Sequence, residues 1–277
     1  MNAWRSGEML EVPMGARSIR MHEAFRAAKE APAVPRLAAT VMLVRHPREA
    51  FMLRRAATMA FVPEAVVFPG GSVDPGDDVR CPWVGPDEGA WARRMDANPD
   101  VARRVVTAAV REVFEECGVL LAGDEHGVCA VDASDPVWAE ERRRLVSHEA
   151  SLAEVLARRG LALRADLLGL RSHWVTPEFE PRRYDTYFFA ALVPAGQEPD
   201  NRTAEADGAG WADSRLMLER GALGEVRLMP PTAFNLAHLA HSFDVGIFAA
   251  GVDHAPSVML KPVVREGGEA VLSCRLP

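Results

Sequence analysis

Three glutamates, Glu112, Glu115 and Glu116, fall at spacings i, i+3 and i+4 within Arg111-Glu112-Val113-Phe114-Glu115-Glu116-Cys117. On a helix, at about 100° per residue, they share one face across an arc of roughly 100°. Carboxylates so placed repel one another unless a cation lies among them. Hard oxygen donors in that number suit Mg²⁺ or Mn²⁺, with waters and substrate phosphates completing the octahedron. By itself the run also fits a solvated acidic stripe on a surface helix. Pro69-Gly70-Gly71, closing an apolar run, favours a site, because a glycine backbone can approach an ion or phosphate closely.

The elements that must position these acids follow from pattern. Val101 to Gly118 predicts one helix, capped by Asp100 and closed by Gly118, with Val106, Val110, Val113, Phe114 and Cys117 on the face that buries. RLAATVMLVRH and AFMLRRA, separated by His46-Pro47-Arg48-Glu49, predict two strands across a tight loop, and EAVVFPGG a third. GLRSHWVT and YDTYFFAALVP predict two more. Residues 72–100 are loop-rich, with one short helix near Glu88–Met95, and the Pro- and Gly-rich 78–100 are expected at the rim of the site rather than in the core. Residues 136–160 predict one or two amphipathic helices, and 213–243 a helical stretch broken at Met229-Pro230-Pro231. The resulting class is α/β (α+β), a mixed sheet with helices packed on it.

The 277 residues, 48% hydrophobic and 26% charged, provide for a core of ordinary size. A net charge of -7 excludes a sequence-independent nucleic-acid binder, which needs a basic surface. No apolar run approaches a membrane span, and MNAWRSGEML lacks the apolar region of a secretory signal. Cys81, Cys117, Cys129 and Cys274 stand apart, without zinc or redox spacing, and read as reduced thiols of a cytoplasmic protein.

Gly71-x5-Asp77 and Arg111 to Val119 together resemble the Nudix box, G-x5-E-x7-R-E-U-x-E-E-x-G-U. The second half matches at every specified position. The first half departs twice: Asp77 stands where the family has Glu, and 33 residues (78–110) separate it from Arg111. A long insert inside the box is similar to the subfamily of the mammalian peroxisomal coenzyme A diphosphatase. Phe61-Val62-Pro63, Trp174-Val175-Thr176-Pro177 and Pro181 to Thr186 resemble that subfamily too. An L-L-T-x-R pattern, found ahead of the box in other coenzyme A–cleaving Nudix enzymes, is not evident.

The resemblance implies a Nudix α/β/α sandwich with mixed sheet and helical insertions. Its expected organisation is an N-terminal arm (1–35), a Nudix domain (36–245) with insertions at about 78–100 and 136–160, and a C-terminal segment (246–277) packed on the domain. It implies metal-dependent cleavage of a diphosphate linkage in a nucleoside diphosphate derivative, with coenzyme A or acyl-CoA first. ADP-ribose, a dinucleotide or a nucleotide sugar stay open as substrates, as does a non-catalytic nucleotide-binding module. The partner is a small molecule, not nucleic acid or membrane, acting on a monomer or homodimer.

By the same resemblance Glu112, Glu115 and Glu116 hold Mg²⁺ or Mn²⁺ with the Gly70 carbonyl, and Arg111 orients them by ion pairing. Gly71 and Asp77 support the site. Glu205, six residues before Trp211, is a candidate base or further ligand. Arg182 and Arg183, and Arg54 and Arg55, are candidate phosphate clamps. His173 reads as a hydrogen-bonded core or rim histidine, and Trp174, Tyr184 and Phe188 as core aromatics at period two.

Overall fold

The computed structural model describes residues 7–29, 31–57, 64–124, 127–132, 134–202 and 206–277. The chain opens with β1 (Met9–Pro13) and α1 (Ala16–Ala28), then β2 (Arg36–Arg45), β3 (Glu49–Arg55), β4 (Ala65–Val67) and β5 (Gly70–Ser72). A 3₁₀ turn (Pro75–Asp78) leads to β6 (Trp83–Val84), α2 (Glu88–Met95) and α3 (Pro99–Cys117). Next come β7 (Ala122–Asp124), β8 (Gly127–Val128), α4 (Pro136–Val146), α5 (Leu152–Arg159) and β9 (Ala162–Arg164). β10 (Gly169–Val175), β11 (Tyr184–Leu192), β12 (Ala206–Asp213), α6 (Ser214–Ala222), β13 (Arg227–Leu228) and α7 (Pro230–His241) follow. The chain closes with α8 (Val245–Ala250), β14 (Ser257–Met259), β15 (Lys261–Val264) and β16 (Ala270–Arg275).

The main sheet runs β13-β4-β3-β2-β11-β10-β14, with β12 also pairing β3 and β5 also pairing β2. It is mixed: β2 is parallel to β11 and antiparallel to β3 and β5. Its long strands are apolar on both faces because both faces are covered. Ala39, Val41 and Leu43 of β2 enter the core under α3, while Met42 and Val44 enter a second core against α6, α7 and α8. This is the expected α/β/α sandwich. The termini meet in a separate small sheet, β1-β16-β15, and β14 extends the main sheet beside β10. Among the described residues no helix is long and apolar enough to cross a membrane.

Two expectations are corrected. The long helix starts at Pro99, not Val101, and its cap is Asn98, whose side chain accepts from Val101 N at 2.8 Å; Asp100 lies in the first turn. Proline fixes the φ of a first helical residue and lacks the N–H that would go unpaired there, so the cap falls just before it. Gly118 closes the helix at φ 73 as expected.

The insertion is also more than a rim. The loop pieces lie outside, but α2 forms at Glu88–Met95 with Trp91 and Met95 fully buried in the α3-side core. Trp91 meets Phe189 edge-on at 5.7 Å. An amphipathic turn flanked by Pro and Gly reads locally as surface, and only packing onto the sheet shows that it fills the core.

Candidate active site

α3 is held between the sheet and α4, and burial extends well beyond its apolar face: Arg111 is 4% and Glu116 7% exposed. The acidic face is therefore not a solvated stripe. It meets β5, which lies antiparallel on β2 with Gly70 opposite Thr40 and Gly71 opposite Ala39. Close approach requires glycine at Gly70, and at Gly71 any side chain would have to displace a glutamate of the site. A Cβ on Gly70 would stand 2.3 Å from the Ala39 carbonyl oxygen, which is backbone and cannot move aside. A Cβ on Gly71 would stand 2.4 Å from Glu112 Oε1. Gly70 N donates to Glu116 Oε2 at 2.7 Å, tying the turn to the helix.

Arg111 is the hub. Its Nε and Nη2 donate to the two oxygens of Asp77 at 2.9 and 3.0 Å, a two-pronged pair with a carboxylate that is wholly buried. Nη2 also donates to Ser72 O at 2.9 Å. Nη1 reaches Glu112 Oε1 at 2.9 Å and Glu115 Oε2 at 3.2 Å. Asp77 is fixed in turn by a reciprocal cap: Asp74 N donates to it at 2.9 Å, while the Asp74 side chain accepts from Gly76 N at 2.6 Å.

The electrostatics follow from crowding. Burial raises the carboxyl pKa of Glu112 to about 7, with Arg111 pulling it down and Glu115 pushing it further up. Burial likewise raises Glu115 and Asp77 despite the same guanidinium. Burial pulls Arg111 down, but its bond to Asp77 and the surrounding acids outweigh this and hold it above its ordinary value.

The residues fit a divalent cation. Glu112, Glu115, Glu116 and the Gly70 carbonyl are all hard oxygen donors, and Glu115 Oε1 is buried with no hydrogen-bond partner. Among the described residues no three acids are already gathered as a ligand shell. Arg111 Nη1 lies between Glu112 and Glu115 instead and supplies the positive charge locally.

Two residues escaped the sequence reading. Arg142 of α4, 8% exposed, donates Nε to Glu115 O at 2.8 Å and Nη1 to both oxygens of Asp200 at 2.7 and 2.9 Å. Asp200 N donates to Cys117 O at 2.9 Å. Together they satisfy carbonyls that the end of any helix leaves open, and so fix the turn bearing the acids. Neither lies in a motif; only the fold brings residues 58 apart in sequence together.

Other candidates fall elsewhere. Arg183 is buried and donates to Thr176 O at 3.1 Å and Ala33 O at 2.8 Å, so it anchors loops and cannot clamp phosphate. Arg182 is exposed. Arg54 is exposed on β3, and Arg55 beside it is half-buried with no acceptor for Nε. Glu205 and Phe61-Val62-Pro63 lie outside the described residues. His173 is buried, bonded to Asp185 and stacked on Tyr187 at 3.8 Å, as a core histidine should be. Trp174 and Phe188 are core, and Tyr184 is half-buried.

The model of the NUDT19 Nudix domain matches residues 92–239, more than half of the chain. The chain belongs to the Nudix hydrolase family. A crystal structure of a Nudix hydrolase from Alicyclobacillus acidocaldarius is 30% identical and aligns with 81% of this chain and 99% of that one, at a TM-score of 0.66. Among curated relatives, putative nudix hydrolase 7 of Caenorhabditis elegans is 26% identical over 240 residues, 86% of this chain and 72% of that protein. Acyl-coenzyme A diphosphatase NUDT19 of Xenopus laevis is 24% identical over 236 residues. That match takes in 70% of this chain and 60% of the Xenopus protein. This Nudix hydrolase thus spans well over half the length of these curated relatives, but not all of it.

Proposed function

We propose that the chain hydrolyses the diphosphate of a nucleoside diphosphate derivative, with coenzyme A or an acyl-CoA as its substrate. The observation that carries hydrolysis is the complete acid set on α3, Glu112, Glu115 and Glu116, against Gly70 and Gly71 of β5. A module that only binds nucleotide has no need of every acid. The choice of substrate is supported by the Xenopus relative, whose name is acyl-coenzyme A diphosphatase.

In this reading Glu112, Glu115, Glu116 and the Gly70 carbonyl hold Mg²⁺ or Mn²⁺. A divalent ion bound there supplies charge neutralisation to phosphate oxygens and a more acidic water. The protein's own part is preorganisation. Asp77 fixes Arg111, and Arg111 bridges Glu112 and Glu115 through one nitrogen, offsetting their repulsion. The raised pKa of Glu112 means that ion binding near neutral pH also expels its proton, so affinity rises with pH. Glu205 remains a candidate base.

A panel of coenzyme A, an acyl-CoA, ADP-ribose, a dinucleotide and a nucleotide sugar, each with Mg²⁺ or Mn²⁺ and with products identified by mass, tests this. The expected products from coenzyme A are 4′-phosphopantetheine and 3′,5′-ADP, absent with Glu116→Gln. Preferred turnover of another member reassigns the substrate. Tight binding without turnover of any member replaces the enzyme with a binding module.

A further inference from the structure

A cavity of about 530 Å³ lies between the insertion and the first half of α3. Val79, Arg80, Cys81, Trp83, Glu88 and Arg103 line it, and Thr107 stands at its α3 end. Its size is that of a pocket for a small organic group, roughly 300–1,000 Å³. The wall is apolar where Val79, Cys81 and Trp83 contribute, and its charges cancel. Arg80 pairs with Glu88, and Asp87, also on the wall, caps α2 by accepting from Ala90 N at 2.7 Å.

Arg103 is the informative residue. It is 7% exposed, and its Nη1 donates to the Asp77 and Asp78 carbonyls, both at 3.1 Å. Its Nε is buried with no hydrogen-bond partner, and the nearest acid oxygen, Glu88 Oε1, is 3.8 Å away. A buried donor left unmade is unfavourable, so a bound group that brings an acceptor within its reach would be favoured here. Arg80 and Arg103 are offset on the same wall by Glu88 and Asp87, so the cavity offers no net charge to hold an anion. A neutral carbonyl, as in an amide or thioester, satisfies Nε and needs none.

The cavity also sits at a usable distance from the acids. Thr107, Arg111 and Glu115 are spaced i, i+4 and i+8 on one flank of α3, so Thr107 and Glu115 are about 12 Å apart along the axis. The 3₁₀ turn links the two places, because Asp77 gives its carbonyl to Arg103 and its carboxylate to Arg111. A chain of a dozen bonds with two amides, extended, spans roughly 13–15 Å.

We propose that this cavity receives the uncharged, amide-bearing arm of the substrate, the part on the far side of the diphosphate from the nucleoside. The proposal rests on the coenzyme A reading above, and it makes the insertion the segment that reads that arm. The phosphorylated adenosine belongs elsewhere, since a wall whose two arginines are offset by two acids gives its phosphates no net attraction.

Product inhibition separates the two halves of the substrate. In wild type, Cys81→Trp and Gly89→Leu, inhibition constants are measured for 4′-phosphopantetheine and for 3′,5′-ADP. Gly89 also lines the cavity, and a Cβ there meets nothing closer than 3.4 Å, so the larger side chain can enter the space. Filling the cavity should raise the constant for 4′-phosphopantetheine by about tenfold or more and leave that for 3′,5′-ADP within about twofold. In the unmodified chain, 4′-phosphopantetheine should slow amide hydrogen exchange at residues 79–89 and 3′,5′-ADP should not, a result independent of whether either variant folds. Turnover of coenzyme A with no protection of 79–89, or with unchanged inhibition in folded variants, overturns the cavity assignment alone. A wild-type chain that cleaves ADP-ribose but not coenzyme A overturns the substrate reading first, and the assignment with it.

Discussion

Glu112→Gln should stabilise the ion-free protein at neutral and alkaline pH while abolishing hydrolysis. The Glu112 side chain is only 12% exposed, and burial, opposed by Arg111 and reinforced by Glu115, holds its proton until about pH 7. The unfolded chain releases that proton near 4.5. Between these values the folded state binds more protons than the unfolded state, so stability falls as pH rises through the window. At about 1.4 kcal/mol per pH unit, the loss is about 3 kcal/mol, complete above pH 7. Glutamine carries no charge and escapes it. Arg111 keeps Asp77 and Glu115 as partners, so the substitution strands no cation. Thermal melts in EDTA should therefore coincide near pH 4.5 and separate by pH 8, the variant higher by roughly 6–12 °C at about 2–4 °C per kcal/mol. Excess Mg²⁺ should raise wild type and not the variant, closing the gap. A flat wild-type profile from pH 4.5 to 8, or a variant that melts lower at pH 8, would refute this account of the acids.

Asp77→Ala removes the partner of a buried guanidinium, so the melting temperature should drop and kcat fall by roughly 10–100-fold, less than for Glu116→Gln. An Asp77 variant as inactive as the Glu116 one at saturating metal would make Asp77 a direct ligand. Trp91→Ala should cost about 3–5 kcal/mol in denaturant titrations, and replacing 80–98 by a short link should unfold the chain, since Trp91 and Met95 are core. Arg142→Lys keeps the charge but has one nitrogen where Arg142 uses two, so it cannot hold the Glu115 carbonyl and Asp200 in the same geometry. Divalent-ion affinity by calorimetry and kcat should each fall by about tenfold, and adding Asp200→Asn should cost little more because the two act as one unit. Wild-type ion affinity in a folded Arg142→Lys protein would show that the last turn of α3 positions itself.

The acids of the centre were legible because their geometry is local. Glu112, Glu115 and Glu116 lie within 1.5 turns of one helix, and helical periodicity alone puts them on one face. The apolar strands were legible as sheet for the same reason, whereas Gly70-Gly71, read as the break after the third strand, is itself strand β5, paired with β2. The acids and the apolar strands each depend on neighbours within a few residues. What the tertiary structure decided depends on residues distant in sequence. Asp77 reaches Arg111 across 34 positions, Arg142 reaches Asp200 across 58, and Trp91 finds Phe189 through the sheet. Arg183 shows the converse: its position beside a strand suited a phosphate clamp, yet it is held by Thr176 O nearby and by two distant acceptors, Met259 Sδ and Ala33 O, the latter 150 residues away. The raised pKa of Glu112 belongs to this second group as well. The sequence places a glutamate there, but burial sets the proton's affinity, and β5 lying against that face of α3 contributes to the burial, which no local pattern encodes.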